Sequence, residues 1–240
     1  MKTTLLAAAF ALTATSGLAQ TTVRIATEGA YPPFNFINDA GNVDGFEIEL
    51  MNDVCARAEL TCTWVTTDWD GIIPNLQSGN YDAIAAGMSI TPERKAVIDF
   101  SDAYYPPTDS AYAAMDGEAD IEGGVVAAQV NTIQSGYVAE TGATLVEYAT
   151  PDEAVAAVRN GEADAVFADS DYLKPVVDES NGEFVWVGEP VELGEGIGLG
   201  LRQSDTDLRD TFSTAIQTMK ADGTLNDLLV KWFGDDTNTF

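Results

Sequence analysis

The chain has 240 residues, of which 45% are hydrophobic and 21% charged, enough to bury one large core or two small ones and unlike a disordered segment. With 39 acidic against 11 basic residues the formal net charge is −28, and such a surface repels nucleic acid and anionic membrane. There is no histidine and there are only two cysteines, so no zinc or other metal site and no cofactor is expected.

Residues 1–19 read as a secretory signal. Lys2 supplies the positive start, Leu5 to Leu12 an apolar run, and Gly17 and Ala19 the small residues of a cleavage site before Gln20. The run is well short of the roughly 18–20 residues that a membrane span needs. No cysteine lies near the cut, so a soluble, exported chain without a lipid anchor is expected. The acidic residues are spread over the whole sequence, which reads as adaptation to a salty medium more than as a patch for cationic solutes.

Thr22 to Ala26 (TVRIA) predicts a strand, followed by a turn-rich loop, YPPFNFINDAGNVDG. Phe46, Leu50, Val54 and Ala58 recur every four residues and mark a helix face. Thr61 to Val65 is the next strand. Cys55 precedes it and Cys62 lies within it, and in an oxidising compartment they are expected to form a disulfide worth about 2–3 kcal/mol. Asp70 is placed to cap a helix carrying Ile72, Ile73 and Leu76, with Gly79 as its stop. Asp82 to Ala86 (DAIAA) predicts a buried strand. The segment LQSGNYDAIAA, ending at Ala86, is echoed by VRNGEADAVFA, ending at Ala168: helix end, Gly, two residues, Asp-Ala, apolar strand. The echo is either a chance recurrence or the mark of two similar lobes. Alternating strand and helix argue for parallel sheets covered by helices, an α/β fold.

The densest stretch is AAGMSITPERKAVIDFS, Ala85 to Ser101. Thr91 suits an N-cap and Pro92 the first helical position, which puts Arg94 in the first turn. A guanidinium fork beside free N–H groups suits a bound carboxylate, with Ser89 adding a hydroxyl. On that pattern alone, an ion pair with Glu93 or another surface acid is the commoner fate of an arginine. Val125 to Ala128 predicts a strand and Thr132 the start of a helix, as a simple cap or as part of a second anion-holding turn. Asp169 closes the strand AVFAD, where it could face a ligand crevice or cap the next turn. Tyr31, Phe34 and Trp69 flank the loops. Phe34 suits the core, while Tyr31 and Trp69 suit a cleft, with Glu28 beside them. The Gly-rich string VELGEGIGLGL lacks the lysine of a phosphate loop and reads as a crossover needing backbone freedom. Asp205 or Asp207 is placed to cap a helix over Leu208 to Lys220 that Gly223 ends, and a last helix covers Thr224 to Phe233. With no histidine, no Ser-His or Cys-His pair is possible, and no enzyme activity is expected.

Taken together, ATEGAYPPFNF, DGFEIELMNDVC, TWVTTDWDGIIPNLQSGNYDAI, GMSITPERKAVIDFS, EADAVFADS, GIGLGLR and ADGTLNDLLVKWF resemble the polar amino-acid-binding proteins of bacterial ABC importers, in the branch that takes lysine, arginine, ornithine, histidine or opines. The resemblance implies a periplasmic-binding-protein-like type II fold, with two α/β lobes joined by two crossover strands and hinged around the ligand. Residues 20–107 and 196–240 would form the first lobe and 108–195 the second. Arg94 would hold the ligand α-carboxylate with help from Ser89 and Thr132, and Asp169 the α-ammonium. Tyr31 and Trp69 would sandwich the side chain, and Glu28 would meet its distal cationic group. Ala86, Gly87, Gln129 and Gln134 would complete the contacts, and Cys55–Cys62 matches a disulfide of this branch. An unpaired Glu28 carboxylate in a closed cleft is itself costly, which favours a cationic ligand. The resemblance further implies a monomeric periplasmic protein whose partners are the ligand and an inner-membrane permease. A neutral ligand such as glutamine, or a prephenate-type dehydratase of the same fold, are the alternatives. The sequence departs from the branch at Ala86 and Gly87, where serines are common, and at Val130-Asn131, which replaces Ser-Gly. MDGEADIEGG also looks shortened.

Overall fold

The computed structural model describes residues 22–240; the expected export leader lies outside them. The chain enters at β1 (Thr22–Thr27), and the turn-rich loop folds into a small antiparallel sheet of β2 (Ala30–Tyr31), β3 (Asn35–Ile37) and β4 (Val43–Asp44). Helix α1 (Phe46–Arg57) buries Phe46, Leu50 and Val54 completely, as their four-residue spacing requires. Strand β5 (Thr61–Thr66) runs parallel to β1, and Cys55 of α1 is disulfide-bonded to Cys62 of β5. A 3-10 turn at Trp69–Gly71 then leads into α2 (Ile72–Gln77). Asp70 therefore sits inside the tightened turn, and its side chain caps nothing, because the chain turns early to bury Trp69. Next come β6 (Ala83–Ile84), shorter than the apolar run containing it, α3 (Pro92–Lys95) and β7 (Asp99–Phe100).

The chain crosses to a second sheet at β8 (Asp109–Ala114). There follow β9 (Val125–Gln129), α4 (Ile133–Ala139), β10 (Thr144–Tyr148), α5 (Pro151–Arg159), β11 (Ala165–Asp169), α6 (Ser170–Asp178) and β12 (Val185–Glu192). It returns through β13 (Gly200–Leu201) and ends in α7 (Thr206–Asp222) and α8 (Thr224–Phe233). Helix α7 is longer than its apolar spacing suggests. Asp205 stands at its cap position, but its carboxylate is occupied by Ser204 Oγ and by an ion pair with Arg202. No helix among the described residues is long and apolar enough to cross a membrane.

The two sheets share a plan. The first runs β5-β1-β6-β13-β7 and the second β10-β9-β11-β8-β12. Each begins with three mutually parallel strands, then has one strand antiparallel to both its neighbours that follows a crossover, and ends with a strand that precedes one. The echoed segments occupy the same place in both, as the helix–turn–strand unit that delivers β6 and β11. The Asp of each echo does the same work. Asp82 donates its N–H to the Arg24 carbonyl at 2.8 Å and accepts the Arg24 N–H on Oδ2 at 3.0 Å; Asp164 makes the matching pair with Val125 at 2.8 and 2.7 Å. The carboxylate supplies the acceptor that a neighbouring strand not yet begun cannot.

Both faces of each sheet are covered, so the central strands are almost wholly apolar. In the second sheet Val166 and Ala127 face the core shared with α5 and α6, while Phe167, Ala165 and Val126 pack with Val138 of α4. That is the two-residue alternation of a strand buried on both sides.

The Gly-rich string becomes the return crossover. It pairs with the outgoing one through Tyr104 N–H to Ile197 O at 2.8 Å, Ile197 N–H to Tyr105 O at 3.0 Å and Ser101 N–H to Leu199 O at 3.0 Å. Gly196 is needed there: its φ is +91°, and a Cβ would fall 2.7 Å from the Tyr105 carbonyl oxygen.

Candidate functional site

The carboxyl ends of the parallel strands in both sheets converge on one cleft, the usual place for a ligand in a parallel α/β sheet. Glu28 follows β1 directly, and Ala86 and Gly87 follow β6. Gln129 ends β9, and Asp169 ends β11. The helix starts contribute the rest: Thr132 caps α4, accepting the Ser135 N–H on its hydroxyl at 3.1 Å, and Gln134 lies in that helix's first turn. Thr91 caps α3 in the same way, accepting the Arg94 N–H at 3.2 Å, and so sets Arg94 at the cleft wall. Glu28, Tyr31, Trp69, Ala86, Gly87, Ser89, Arg94, Gln129, Thr132, Gln134 and Asp169 all line a single pocket of about 20 Å³. The one further lining residue is Ile133, which the sequence places immediately after the Thr132 cap but marks in no other way.

The charged groups in this pocket have neutral partners. Arg94 takes part in none of the ion pairs found among the described residues, Glu93 included; its Nη1 donates to the Ser89 carbonyl at 2.8 Å and its Nη2 to the Asn131 carbonyl at 3.3 Å. Burial lowers its pKa to about 10, against the pull of Asp169, so it stays charged at neutral pH. Asp169, 7% exposed, accepts the Tyr31 hydroxyl on Oδ2 at 2.6 Å and the Gln134 amide on Oδ1 at 2.8 Å. Burial pushes its carboxyl up to about 6, and the hydrogen bonds and Arg94 work against that rise. The Glu28 carboxylate accepts the Gln129 amide at 2.6 Å; burial raises its pKa to about 7, with Asp68 and Asp152 adding to the rise. One pocket thus holds one guanidinium and two carboxylates, and among the described residues no cationic side chain compensates Glu28.

The aromatics divide their work. Tyr31 stacks on Tyr172 of α6 at 4.5 Å with a 6° interplanar angle, so one of its faces is taken by the opposite lobe. No spacing in the sequence marks Tyr172 as that partner. The Arg94 guanidinium lies 5.4 Å from the Trp69 ring centroid, and the Trp69 indole N–H is buried without an acceptor. Four contacts bridge the lobes here: Tyr31 with Asp169, Tyr31 with Tyr172, Glu28 with Gln129, and Arg94 with the Asn131 carbonyl. A wider groove of about 690 Å³ continues outward past Trp69 and Arg94 between Ile73, Met88 and Val97 on one side and Ile133, Tyr137 and Leu193 on the other, and neither Asp169 nor Glu28 reaches it.

Comparison with known proteins places this geometry in context. Residues 23–235 match the family model of bacterial extracellular solute-binding proteins, family 3. The chain is 31% identical to a putative ABC transporter arginine-binding protein 2 of Escherichia coli (strain K12), over 97% of this chain and 99% of that protein. It is 33% identical to the lysine/arginine/ornithine-binding periplasmic protein of the same organism, over 88% of this chain and 87% of the relative. Among solved structures, a periplasmic His/Glu/Gln/Arg/opine family-binding protein from Silicibacter pomeroyi in complex with lysine is 64% identical. It superimposes with a TM-score of 0.90, covering 91% of this chain and 100% of the other.

Proposed function

Because the chain belongs to the family 3 bacterial extracellular solute-binding proteins, we propose that it captures a basic amino acid or opine in the periplasm and delivers it, as a monomer, to an inner-membrane ABC permease. The observation that carries the ligand class is the Arg94 guanidinium, in no ion pair among the described residues, lining one pocket with two carboxylates that are hydrogen-bonded only by neutral groups. A zwitterion answers the first two charges: its carboxylate on Arg94, beside Ser89 and Thr132, and its ammonium on Asp169. Glu28 leaves one negative charge over, which a lysine, arginine or ornithine side chain compensates. Trp69 and Tyr31 cover the aliphatic stem. The lysine complex of the Silicibacter relative and the arginine-binding names of the others support the same class. Each lobe alone offers part of this set, so ligand favours the closed arrangement by its differential affinity.

Glu28, raised to about 7, also supports a second reading, in which the protonated acid meets a neutral amide such as that of glutamine. Calorimetric titration with lysine, arginine, ornithine and glutamine separates the two, backed by unfolding curves in which a true ligand at a hundred times its Kd adds about 2.7 kcal/mol. Tight binding of a cationic amino acid is the expected result. Preference for glutamine over all three overturns the basic assignment, and no stabilisation by any of the four overturns the amino-acid site.

A further inference from the structure

Behind the cleft wall lies a carboxylate that the ligand reading does not use. Glu47, in the first turn of α1, is 0% exposed and forms no ion pair among the described residues. Its side chain meets only donors. Oε1 accepts the Gly87 N–H at 2.7 Å and a short hydrogen bond from the Tyr104 hydroxyl; Oε2 accepts the Asn35 amide at 2.7 Å. Asn35, also 0% exposed, spends its own oxygen on the Gly29 N–H at 2.8 Å. The chain of bonds therefore runs Gly29, Asn35, Glu47, Gly87, with a branch to Tyr104 on the outgoing crossover. Both ends are glycines with left-handed φ, +76° at Gly29 and +60° at Gly87, and each adjoins cleft-lining residues, Glu28 and Ala86.

We infer that Glu47 is a positioning residue for the cleft: its buried carboxylate ties the backbone after β1 to the backbone after β6, and so sets where Glu28 and the Ala86–Ser89 segment stand relative to one another. A neutral acceptor could not take its place without a conflict. The two oxygens serve three donors, and the Asn35 amide is locked in orientation because only its oxygen can accept from Gly29. The helix N-terminus favours an anion at this point, and burial makes every unmatched donor expensive. Burial pushes the Glu47 carboxyl upward, against the bonds from Tyr104, Gly87 and Asn35.

The logic of the chain supplies its own rescue. Glu47→Gln puts an amide nitrogen against the nitrogen of Asn35 or the N–H of Gly87. Asn35→Asp puts carboxylate against carboxylate. Combined, the two substitutions restore donor facing acceptor at every link and move the charge one link along the hydrogen-bonded chain. The wild type, both single variants and the double variant are compared by amide hydrogen exchange at Gly29 and Gly87 without ligand, and by calorimetric titration with lysine and arginine. In Glu47→Gln, exchange at both glycines is expected to speed up, and affinity to fall, by roughly tenfold, the effect of one unsatisfied buried donor. The double variant is expected to return both to within about threefold of the wild type. Unchanged exchange at Gly29 in Glu47→Gln, or a double variant no better than the worse single one, overturns the proposal. If Glu47→Gln does not fold, the double variant decides alone: wild-type exchange and affinity support the inference, and failure to fold or fast exchange overturns it. The affinity reading rests on the amino-acid site proposed above, whereas the exchange reading does not. A wild type that binds neither amino acid therefore sinks the function and leaves the exchange data to judge Glu47.

Discussion

The two lobes deliver the same repeat to the same cleft and finish it differently. In the first, the strand after the Asp82 anchor runs out into Gly87; in the second, the strand after Asp164 runs out into Asp169, at the matching position of the echo. Tyr31 explains both. A Cβ at Gly87 would lie 3.3 Å from Tyr31 Cδ1, so the first lobe leaves out a side chain where the ring rests. The second lobe presents a carboxylate to the hydroxyl of the same residue. One repeat thus contributes shape and the other charge. Sheet plan is set by the shared pattern of turn, anchor and apolar strand, and cleft chemistry by the single residue that follows it.

The largest effects should come from removing the charge on either side. Arg94→Ala and Asp169→Asn each leave a ligand charge unpaired, and loss of one partner of a buried charge pair costs about 2–5 kcal/mol. Binding of lysine or arginine by calorimetry is expected to fall by roughly thirtyfold or more in both. A variant of either lobe that binds like the wild type would break the picture of a zwitterion held across the cleft.

The anchors should differ next. Asp82→Ala removes the acceptor for Arg24 N–H and also the Arg24 and Arg202 ion pairs, and is expected to cost about 2–3 kcal/mol in urea unfolding. Asp164→Ala removes one more exposed backbone bond and is expected to cost about 1 kcal/mol or less. Equal losses would mean that the added ion pairs of the first lobe contribute nothing. The carboxylate supports a pH signature as well. Burial opposes ionisation of Asp82, but the Arg24 and Arg202 bonds outweigh it and hold its pKa at about 2. A depressed acid stabilises the fold above its unfolded pKa and loses that contribution as pH falls from about 4 through about 2. Asp82→Asn is expected to flatten stability across that window.

Gly87→Ala should cost about 1–2 kcal/mol, since φ is +60° there and the new methyl presses on Tyr31. Affinity should fall with it, because Tyr31 has to move. Unaltered unfolding and binding would remove the steric reason for glycine in the first lobe.

The smallest effect is the pH dependence of binding. Glu28 is raised to about 7 in the closed cleft, so the protein holds an extra proton that a cationic ligand must displace. Stability of the ligand-free closed form falls as pH rises from about 4.5 to about 7, and affinity for a cation rises over the same range. Between pH 7.5 and 6, lysine or arginine affinity is expected to drop roughly eightfold, with Glu28→Gln flattening the profile. A wild-type profile that is level, or that slopes the other way, takes the cationic group away from Glu28.

How much of this could be read beforehand varies with the kind of interaction. Caps and periodic faces are local, so Thr91, Thr132 and the Phe46–Leu50–Val54 face were legible, and so was the disulfide between two lone cysteines. The eleven cleft residues were legible as a set only through resemblance to a family, since Arg94 or Asp169 taken alone fits an ion pair or a cap equally well. Contacts between distant segments were not legible. Nothing near Tyr172 points to Tyr31, 141 positions earlier. Asp70 looked like a cap because an acid before an apolar run usually is one; the burial of Trp69 tightened the backbone instead. Glu47 hid among 39 acids, although its spacing to Met51 and Val54 puts it on the buried face of α1.

The paired crossovers carry one more consequence. Held together by the Ile197 and Leu199 hydrogen bonds, they form a ribbon two strands wide, which bends across its flat face more easily than within its plane. For the hinged closure proposed above, such a ribbon would narrow the motion to a single axis, like a book on its spine. On the proposed function, the guanidinium and the aspartate on facing pages would then meet in the same register each time the covers shut.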